Sequence, residues 1–350
     1  MMVARIASLT PGYFAGVMAT GIVSIGARLK GMSTLAGVLF WLAVVFYVVL
    51  IVLNGVRLVR FRRHMAEDFR DPARAFGFFT FIAATNVLGA ALVGTGHSTI
   101  ASVALTVSVL VWLLLGYVVP WTAVLSNEHR PMLDRANGTW FIWVVASQSI
   151  AVVAAGLEPI LPAHRQYLSI LAIFAWSLGV ILYAGCAAFV ALRAMLYPLR
   201  PQDLDPPYWV AMGAVAITVV AGARVIEMEN TPMIAVTRGV AAGLSVMFWC
   251  FATWLIPVLI AAGVWRHFLH NIPLRYQPTL WSMVFPLGMY SVAGMYLGRA
   301  NKLPVVEWIG SAWFWVALTA WVLTAVGMIV SITKDIRRRH DRPADAPSHC

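Results

Sequence analysis

The chain has 350 residues, of which 61% are apolar and only 11% are charged. This composition excludes a pair of ordinary soluble domains, whose charged fraction is about twice as high. A net charge of +11 is also found in nucleic-acid-binding proteins, but the positions of the cations described below are those of a membrane protein, so no nucleic-acid partner is expected.

Ten apolar stretches are long enough, or nearly so, to cross a bilayer, which takes about 20 helical residues. One of them contains Pro257, where a membrane helix can break. Residues 1–333 are therefore predicted to form one transmembrane domain. Residues 334–350 are predicted to form a basic cytoplasmic tail, disordered after about residue 340. The stretches lie near residues 12–28, 35–57, 75–94, 99–118, 138–156, 166–192, 208–226, 234–264, 278–298 and 304–332.

The cations are distributed unevenly between alternate connections. If the N-terminus lies inside, most of the 25 Lys and Arg residues fall on the inner side, including the Arg-rich connection 57–74. Cytoplasmic loops carry this excess of positive charge. The distribution predicts a multi-pass protein of the cell inner (plasma) membrane with both termini in the cytoplasm.

Every second apolar stretch begins with an aromatic residue in a similar context. These repeat aromatics recur every 62–72 residues, about the length of one helical hairpin. The repeat predicts an all-α integral membrane protein in which ten transmembrane helices form five hairpins in a quasi-five-fold ring around a central pore. The repeat aromatics are Phe14, Phe79, Phe141, Trp209 and Trp281.

Small and polar residues occur at equivalent depths after the repeat aromatics. Six and seven residues later, three repeats place a hydroxyl followed by a glycine or an amide. One interpretation is interhelical hydrogen bonding, because a polar side chain in hydrocarbon must find a partner. The other is a polar collar around a passing solute, and the residues leave both interpretations open. The pairs are Thr20-Gly21, Thr85-Asn86 and Ser147-Gln148.

Four residues after the repeat aromatics stand Met18, Ala83, Val145, Gly213 and Phe285. Phe285 is the only aromatic of this set, and Pro286 follows it and bends the helix. A large ring on a narrow axis would form a hydrophobic gate. From the residues alone an ordinary packing role at a proline kink is favoured, because aromatics are common in membrane helices.

Chemical groups needed for other functions are missing from the middle of the spans. No carboxylate or histidine lies there, which argues against a proton relay, a transmembrane haem or a membrane metalloprotease. No phosphate-binding glycine loop is present. The chain is therefore predicted not to be an enzyme and to have no catalytic, cofactor or metal site.

Two segments resemble a known family. LTPGYFAGVMATGIVS (residues 9–24) and QPTLWSMVFPLGMYSVAG (277–294) are similar to the first and ninth helices of the tellurite-resistance/dicarboxylate transporter family, which includes the plant slow anion channels. The resemblance spans residues 9–333. It implies ten helices with the odd-numbered ones lining a pore, a homotrimer with one pore per subunit, and small anions as substrates, such as malate, sulfite, chloride or nitrate.

The resemblance also assigns the gate. The phenylalanine of the family's W-x-x-x-F-P run plugs the pore, and it corresponds to Phe285 here, with Pro286 beside it. The channels carry a doubled tryptophan before this site, where this chain has Leu280-Trp281. The full predicted pore lining is Phe14, Met18, Thr20, Gly21, Phe79, Ala83, Asn86, Phe141, Val145, Gln148, Gly213, Trp281 and Gly288.

The predicted function is a transporter or channel that passes small anions through a pore gated by Phe285, in contact with lipid and without cofactors. Arg224 and Arg238 are expected either to concentrate anions at the outer mouth or to anchor the interface. One alternative is a proton-coupled dicarboxylate carrier. Another, from a different class, is a membrane-integral enzyme or redox subunit, and a receptor is a third.

Overall fold

The computed structural model describes residues 6, 7, 9–125 and 132–340. In this part of the chain ten long helices are apolar enough to cross a membrane, as the sequence predicts. The predicted disorder after residue 340 lies outside the described residues. The helices are α1 Ala15–Leu29, α2 Ser33–Arg60, α3 Phe79–Val93, α4 Ser98–Val119, α5 Phe141–Leu157, α6 Arg165–Leu196, α7 Val210–Ile226, α8 Pro232–Val264, α9 Trp281–Ala300 and α10 Pro304–His340.

Each odd-numbered helix begins with a short 3-10 turn, and the repeat aromatic lies at the junction with the α-helix. In three repeats a proline opens the turn, and its fixed φ and missing N–H suit the first helical position. In the third repeat the Asn137 side chain accepts from the Thr139 N–H instead. The turns are Pro11–Phe14, Ala75–Phe78, Gly138–Trp140, Pro206–Trp209 and Pro278–Leu280.

The connections within the first two hairpins are tight. Gly31 and Gly96 have φ values of 76° and 79°, a region that glycine enters without steric cost. A short amphipathic helix, Arg62–Arg70, links the first hairpin to the second.

Burial separates the ten helices into two groups. In the most apolar window of each span, buried residues make up 72–89% of the odd-numbered helices but only 11–39% of the even-numbered ones. The even-numbered helices carry exposed side chains such as Trp41, Leu114 and Leu323, as expected of surfaces that face lipid. The odd-numbered helices thus form the interior and the even-numbered helices the outside.

The five inner helices contact one another in a closed cycle. α1 packs against α3, α3 against α5, α5 against α7, α7 against α9, and α9 returns to α1. This order of contacts is consistent with the predicted quasi-five-fold ring.

A polar contact joins each inner helix to the outer helix that precedes it around this cycle. Tyr47 of α2 bonds Thr85 of α3 at 2.8 Å, and the Trp112 indole of α4 donates to Ser147 of α5 at 2.9 Å. The remaining three bonds follow the same order: Trp176 to the Thr218 carbonyl (3.2 Å), Thr253 to Tyr290 (2.7 Å) and Trp321 to Thr20 (3.0 Å). The last of these connects α10 to α1 and closes the molecule.

Two helices differ from the sequence-based expectation. Helix α8 runs without a break from Pro232 to Val264, with Pro257 inside it. Helix α10 continues to His340, so the first residues of the predicted tail extend the last helix.

Candidate permeation axis

Two cavities have linings that combine residues from all five repeats. The larger one, here called the vestibule, has a volume of about 220 Å³ and lies where the odd-numbered helices begin. Numbering each repeat from its aromatic as position 0, position −2 of every repeat lines the vestibule. These residues are Gly12, Gly77, Thr139, Pro207 and Thr279.

The second cavity, here called the axial cavity, has a volume of about 40 Å³ and lies farther along the same helices. Positions +8 and +11 of every repeat line it, which shows that corresponding faces of the five inner helices converge. Position +8 is occupied by Ile22, Val87, Ser149, Ile217 and Met289, and position +11 by Ile25, Ala90, Val152, Val220 and Val292.

Position +4 falls on the same helical face as these cavity-lining positions. Because each residue advances a helix by about 100°, positions +4, +8 and +11 lie within about 60° of one another. The five residues at +4 line neither cavity and are buried, with Phe285 only 1% exposed. They occupy the stretch of each helix between the vestibule and the axial cavity. The set is Met18, Ala83, Val145, Gly213 and Phe285.

The repeat aromatics themselves line neither cavity. The Phe14 ring lies 5.8 Å from Tyr47 of α2, and the Phe141 ring lies 5.3 Å from Tyr183 of α6. Trp281 packs against Trp321 of α10. Phe79 contacts the neighbouring ring of Trp143. These four residues, expected in the pore lining, therefore attach the inner helices to one another and to the outer group.

Most of the expected polar collar also points away from the axis. Position +6 lies on the opposite side of the helix from the cavity-lining stripe, and its hydroxyls on Thr20, Thr85 and Ser147 bond outer helices. The Gln148 amide donates to the Trp176 carbonyl of α6. For these residues the structure supports the interhelical-bonding interpretation.

Gly21 and Gly288 mark close approaches between neighbouring inner helices. A Cβ atom at Gly21 would come within 2.5 Å of Val87, and one at Gly288 within 2.7 Å of Ile22. Neither glycine lines a cavity. Their contribution is to bring the inner helices together.

Asn86 is the residue of the expected collar that does line the axial cavity. It is 1% exposed, and its Nδ2 donates to Ser149 Oγ at 2.9 Å. Ser149 Oγ in turn donates to the Ala146 carbonyl at 2.7 Å. Asn86 Oδ1 accepts no hydrogen bond from the described residues.

Charges of both signs surround the vestibule. Arg74 lines it and pairs with Asp68 at 2.7 Å, and Asp68 also binds the buried Arg57. Asp205 also lines the vestibule. Burial raises the pKa of Asp205 to about 6, although the nearby Arg266 opposes this shift. The wall also carries hydroxyl and amide groups, including those of Asn137 and Ser282, next to apolar residues such as Ile142.

An aromatic ring and a cation lie at the other end of the axial cavity. Tyr296 lines the cavity, and the Arg224 guanidinium lies 5.3 Å from the centre of its ring. Arg224 also pairs with Glu227 at 2.9 Å. Arg238, the other cation expected at this mouth, donates to the Met228 carbonyl.

The sequence interpretation missed Ser149, Tyr296 and Asp205. A usable signal was present, because extending the position +4 stripe along the helical period reaches Ser149 and Tyr296. Asp205 precedes a 3-10 turn, and nothing in its local sequence marks it as part of a cavity wall. Among the described residues no group of His, Cys, Asp and Glu side chains is arranged to bind a metal ion.

Residues 8–329 match the sequence profile of the family described as voltage-dependent anion channel, SLAC1. The chain belongs to this family. It is a multi-pass membrane protein and an anion transporter, in a family of transporters and channels rather than enzymes.

Three relatives illustrate the range of similarity. An uncharacterised membrane protein of Mycobacterium tuberculosis (strain H37Rv) is 55% identical over 157 residues, which is 45% of this chain and 80% of the relative. An uncharacterised transporter of Methanocaldococcus jannaschii is 25% identical over 328 residues, 92% of each chain. The sulfite efflux pump SSU1 of Trichophyton rubrum is 23% identical over 360 residues, covering 95% of this chain and 93% of the pump.

Proposed function

We propose that small anions cross the membrane along the axis through the vestibule and the axial cavity, and that Phe285 closes this path between them. The observation that carries the proposal is the repetition of cavity-lining positions: −2, +8 and +11 contribute a residue from each of the five inner helices. Phe285 stands at position +4, between these levels, and is the largest side chain of its set. The next residue, Pro286, packs against Gly213 and so holds the helix segment that carries Phe285 in position.

The proposed substrates are sulfite and small carboxylates such as malate. Sulfite is suggested by the pump of Trichophyton rubrum, which aligns over nearly the whole chain. Malate is suggested by the resemblance to dicarboxylate transporters. An anion path without a buried cation is physically reasonable, because amide and hydroxyl donors and the field of nearby cations favour negative charge.

The proposed setting is the plasma membrane, with both termini in the cytoplasm. The excess of Lys and Arg in alternate connections supports this orientation. In the proposed orientation the odd-numbered helices begin on the cytoplasmic side, so the vestibule would open there. The homotrimer, with one axis per subunit, is proposed from the family resemblance.

A proton-coupled carrier is the second candidate. Asp205 in the vestibule wall has a pKa of about 6, so its carboxyl group changes protonation near neutral pH. A carrier of this kind accumulates labelled malate against its gradient when a pH gradient is imposed, whereas a channel only equilibrates it.

The test is uptake of labelled sulfite, malate, chloride and nitrate into vesicles that contain the purified protein. Protein-free vesicles of the same lipid serve as the control for leakage. Uptake of at least one anion above this control is expected. If none of the four anions enters faster than in protein-free vesicles, the proposal is wrong.

A further inference from the structure

The amide of Asn86 is an unusual group for the wall of the axial cavity. The other residues that line this cavity are apolar except for Ser149 and the ring of Tyr296. Asn86 is only 1% exposed, and its Oδ1 accepts no hydrogen bond from the described residues. A buried carbonyl oxygen normally accepts a hydrogen bond, so this atom lacks the partner that most such groups have.

The orientation of this amide follows from its neighbour. Ser149 has a single hydroxyl hydrogen, and that hydrogen is donated to the Ala146 carbonyl at 2.7 Å. Ser149 Oγ can therefore only accept from Asn86, which places Nδ2 toward Ser149 at 2.9 Å. The oxygen Oδ1 is then the atom left for another partner.

The free hydrogen-bonding capacity of Asn86 defines the chemistry of that partner. An amide has two N–H donors and one carbonyl acceptor. With one N–H used by Ser149, one donor and one acceptor remain on the same side chain. Chloride and nitrate carry no hydrogen and satisfy the donor alone. An anion that carries both a negative oxygen and an O–H group satisfies both.

We propose that Asn86 and Ser149 form a solute-binding subsite that prefers small oxyanions bearing an O–H group over anions that have no hydrogen. Hydrogen sulfite and the monoanion of a dicarboxylic acid are members of this class. In the bound state the solute O–H donates to Asn86 Oδ1, and the remaining Asn86 N–H donates to an anionic oxygen. This subsite rests on the proposed function, since the solute must reach the axial cavity.

The apolar wall makes the subsite selective. Ile22, Val87 and Ile217 line the same cavity, and their side chains provide no competing donor for Oδ1. Binding a hydrogen-free anion leaves the amide oxygen unpaired, and a site built to hydrogen-bond a group discriminates against solutes that lack it. The subsite therefore sets a ratio of permeabilities as well as an affinity.

The experiment compares uptake of labelled hydrogen sulfite and labelled chloride into vesicles, with leakage into protein-free vesicles subtracted. The pH is kept where the monoanion predominates. Asn86→Leu, which replaces the amide by an apolar group of similar size, is expected to lower the sulfite-to-chloride uptake ratio about two- to tenfold, the effect of one lost hydrogen bond. An unchanged ratio overturns the subsite.

Gln148→Leu is the matched control. Gln148 occupies position +7, the same repeat position as Asn86, but its amide donates to the Trp176 carbonyl and it lines neither cavity. The uptake ratio is expected to stay at the wild-type value in this variant. If Gln148→Leu lowers the ratio as strongly as Asn86→Leu, the effect is structural and the subsite is wrong.

Two further comparisons cover the remaining outcomes. If Asn86→Leu does not fold, Asn86→Ala removes the amide without adding volume and is expected to lower the same ratio. If the wild-type protein takes up both anions and neither Asn86 variant changes the uptake ratio, only the subsite is overturned. No wild-type uptake of any anion overturns the proposed function and the subsite together.

Discussion

Gly213 of α7 packs against Pro286 of α9 so closely that a Cβ atom at Gly213 would come within 2.8 Å of the proline ring and 3.2 Å of its Cα atom. The contact fixes the position of the helix segment that carries Phe285. Gly213 is thus linked to Phe285, another member of the position +4 set, through the proline that follows Phe285 in the chain.

Gly213→Ala is expected to destabilise the protein by about 1–3 kcal/mol, because the backbone of Pro286 must move to make room. The measurement is thermal unfolding in detergent. Gly239→Ala in outer helix α8 is the control: no atom lies within 4 Å of its added Cβ, so a neutral or slightly stabilising effect is expected there. Equal melting temperatures for the two variants would show that the Gly213 contact is not tight.

Phe285→Ala is expected to raise anion uptake into vesicles. If the ring contributes about 1.4 kcal/mol or more to the barrier, uptake increases by about tenfold or more. Phe314→Ala is a matched control, since Phe314 is equally buried at 1% exposed but belongs to outer helix α10. An increase in the Phe314 variant of the same size, or none in the Phe285 variant, contradicts the gate.

The protonation of Asp205 is expected to make anion uptake depend on the pH at the vestibule. Its carboxyl group is neutral below its pKa of about 6 and negative above it, so anion flux is expected to fall as pH rises through 6. One charge acting across a water-filled space is worth on the order of 0.5 kcal/mol, about a twofold effect. The groups facing it are Arg266 and Asp203.

In Asp205→Asn, uptake above pH 6 is expected to rise to the level that the wild type shows at low pH. The dependence of uptake on pH is therefore expected to disappear between about pH 5 and about pH 7, about one unit on either side of the pKa. Uptake is measured at a series of pH values on the vestibule side. A wild-type profile that survives unchanged in Asp205→Asn shows that another group is responsible.

The buried Arg57–Asp68 pair predicts a large stability effect beside the vestibule. The side chains are 2% and 4% exposed, and Asp68 also pairs with Arg74. Asp68→Asn leaves the Arg57 charge buried without a carboxylate, which costs about 3–5 kcal/mol. The neighbouring Glu67→Gln breaks an exposed pair with Arg63 and is expected to cost less than about 1 kcal/mol. Chemical denaturation of both variants measures the difference.

Thr20 distinguishes interhelical bonding from a polar collar. Thr20→Val removes the acceptor of the Trp321 indole, and hydrogen bonds of this kind in membranes average about 0.6 kcal/mol. A small fall in the melting temperature with unchanged relative uptake of sulfite, malate, chloride and nitrate is expected. A change in anion preference would instead assign Thr20 to the path.

The sequence was sufficient to predict the architecture, but it did not show which face of each inner helix points toward the centre of the ring. The apolar stretches predicted the ten spans, and the recurrence of Phe14, Phe79 and their equivalents grouped them into hairpins. The inner position of the odd-numbered helices was implied by the family resemblance. Polar residues such as Thr20 attract attention because they are rare in an apolar span. Such groups, however, are stabilised by any neighbouring helix, and an outer helix satisfies them as well as an axis does.

The cavity lining was harder to predict for the complementary reason. Ile25 and Val220 face the axial cavity, yet isoleucine and valine are common on every face of a membrane helix. Cavity-lining residues can be distinguished from lipid-facing ones only by combining the repeat with the helical period. That step requires one position in the repeat that is already known to face the centre. Phe285 and its equivalents at position +4 lie on the helical face that lines the axial cavity, whereas positions +6 and 0 do not.

The hydrogen bond from Trp321 to Thr20 has a consequence for biosynthesis. Helix α1 contains an acceptor, Thr20, whose indole donor is made 301 residues later. Until α10 is inserted, the faces of α1 and α9 that it covers stay open. Packing around α1 is therefore completed only by α10, and a protein truncated before this helix is expected to lack both the bond to Thr20 and the contacts of α10 with α9.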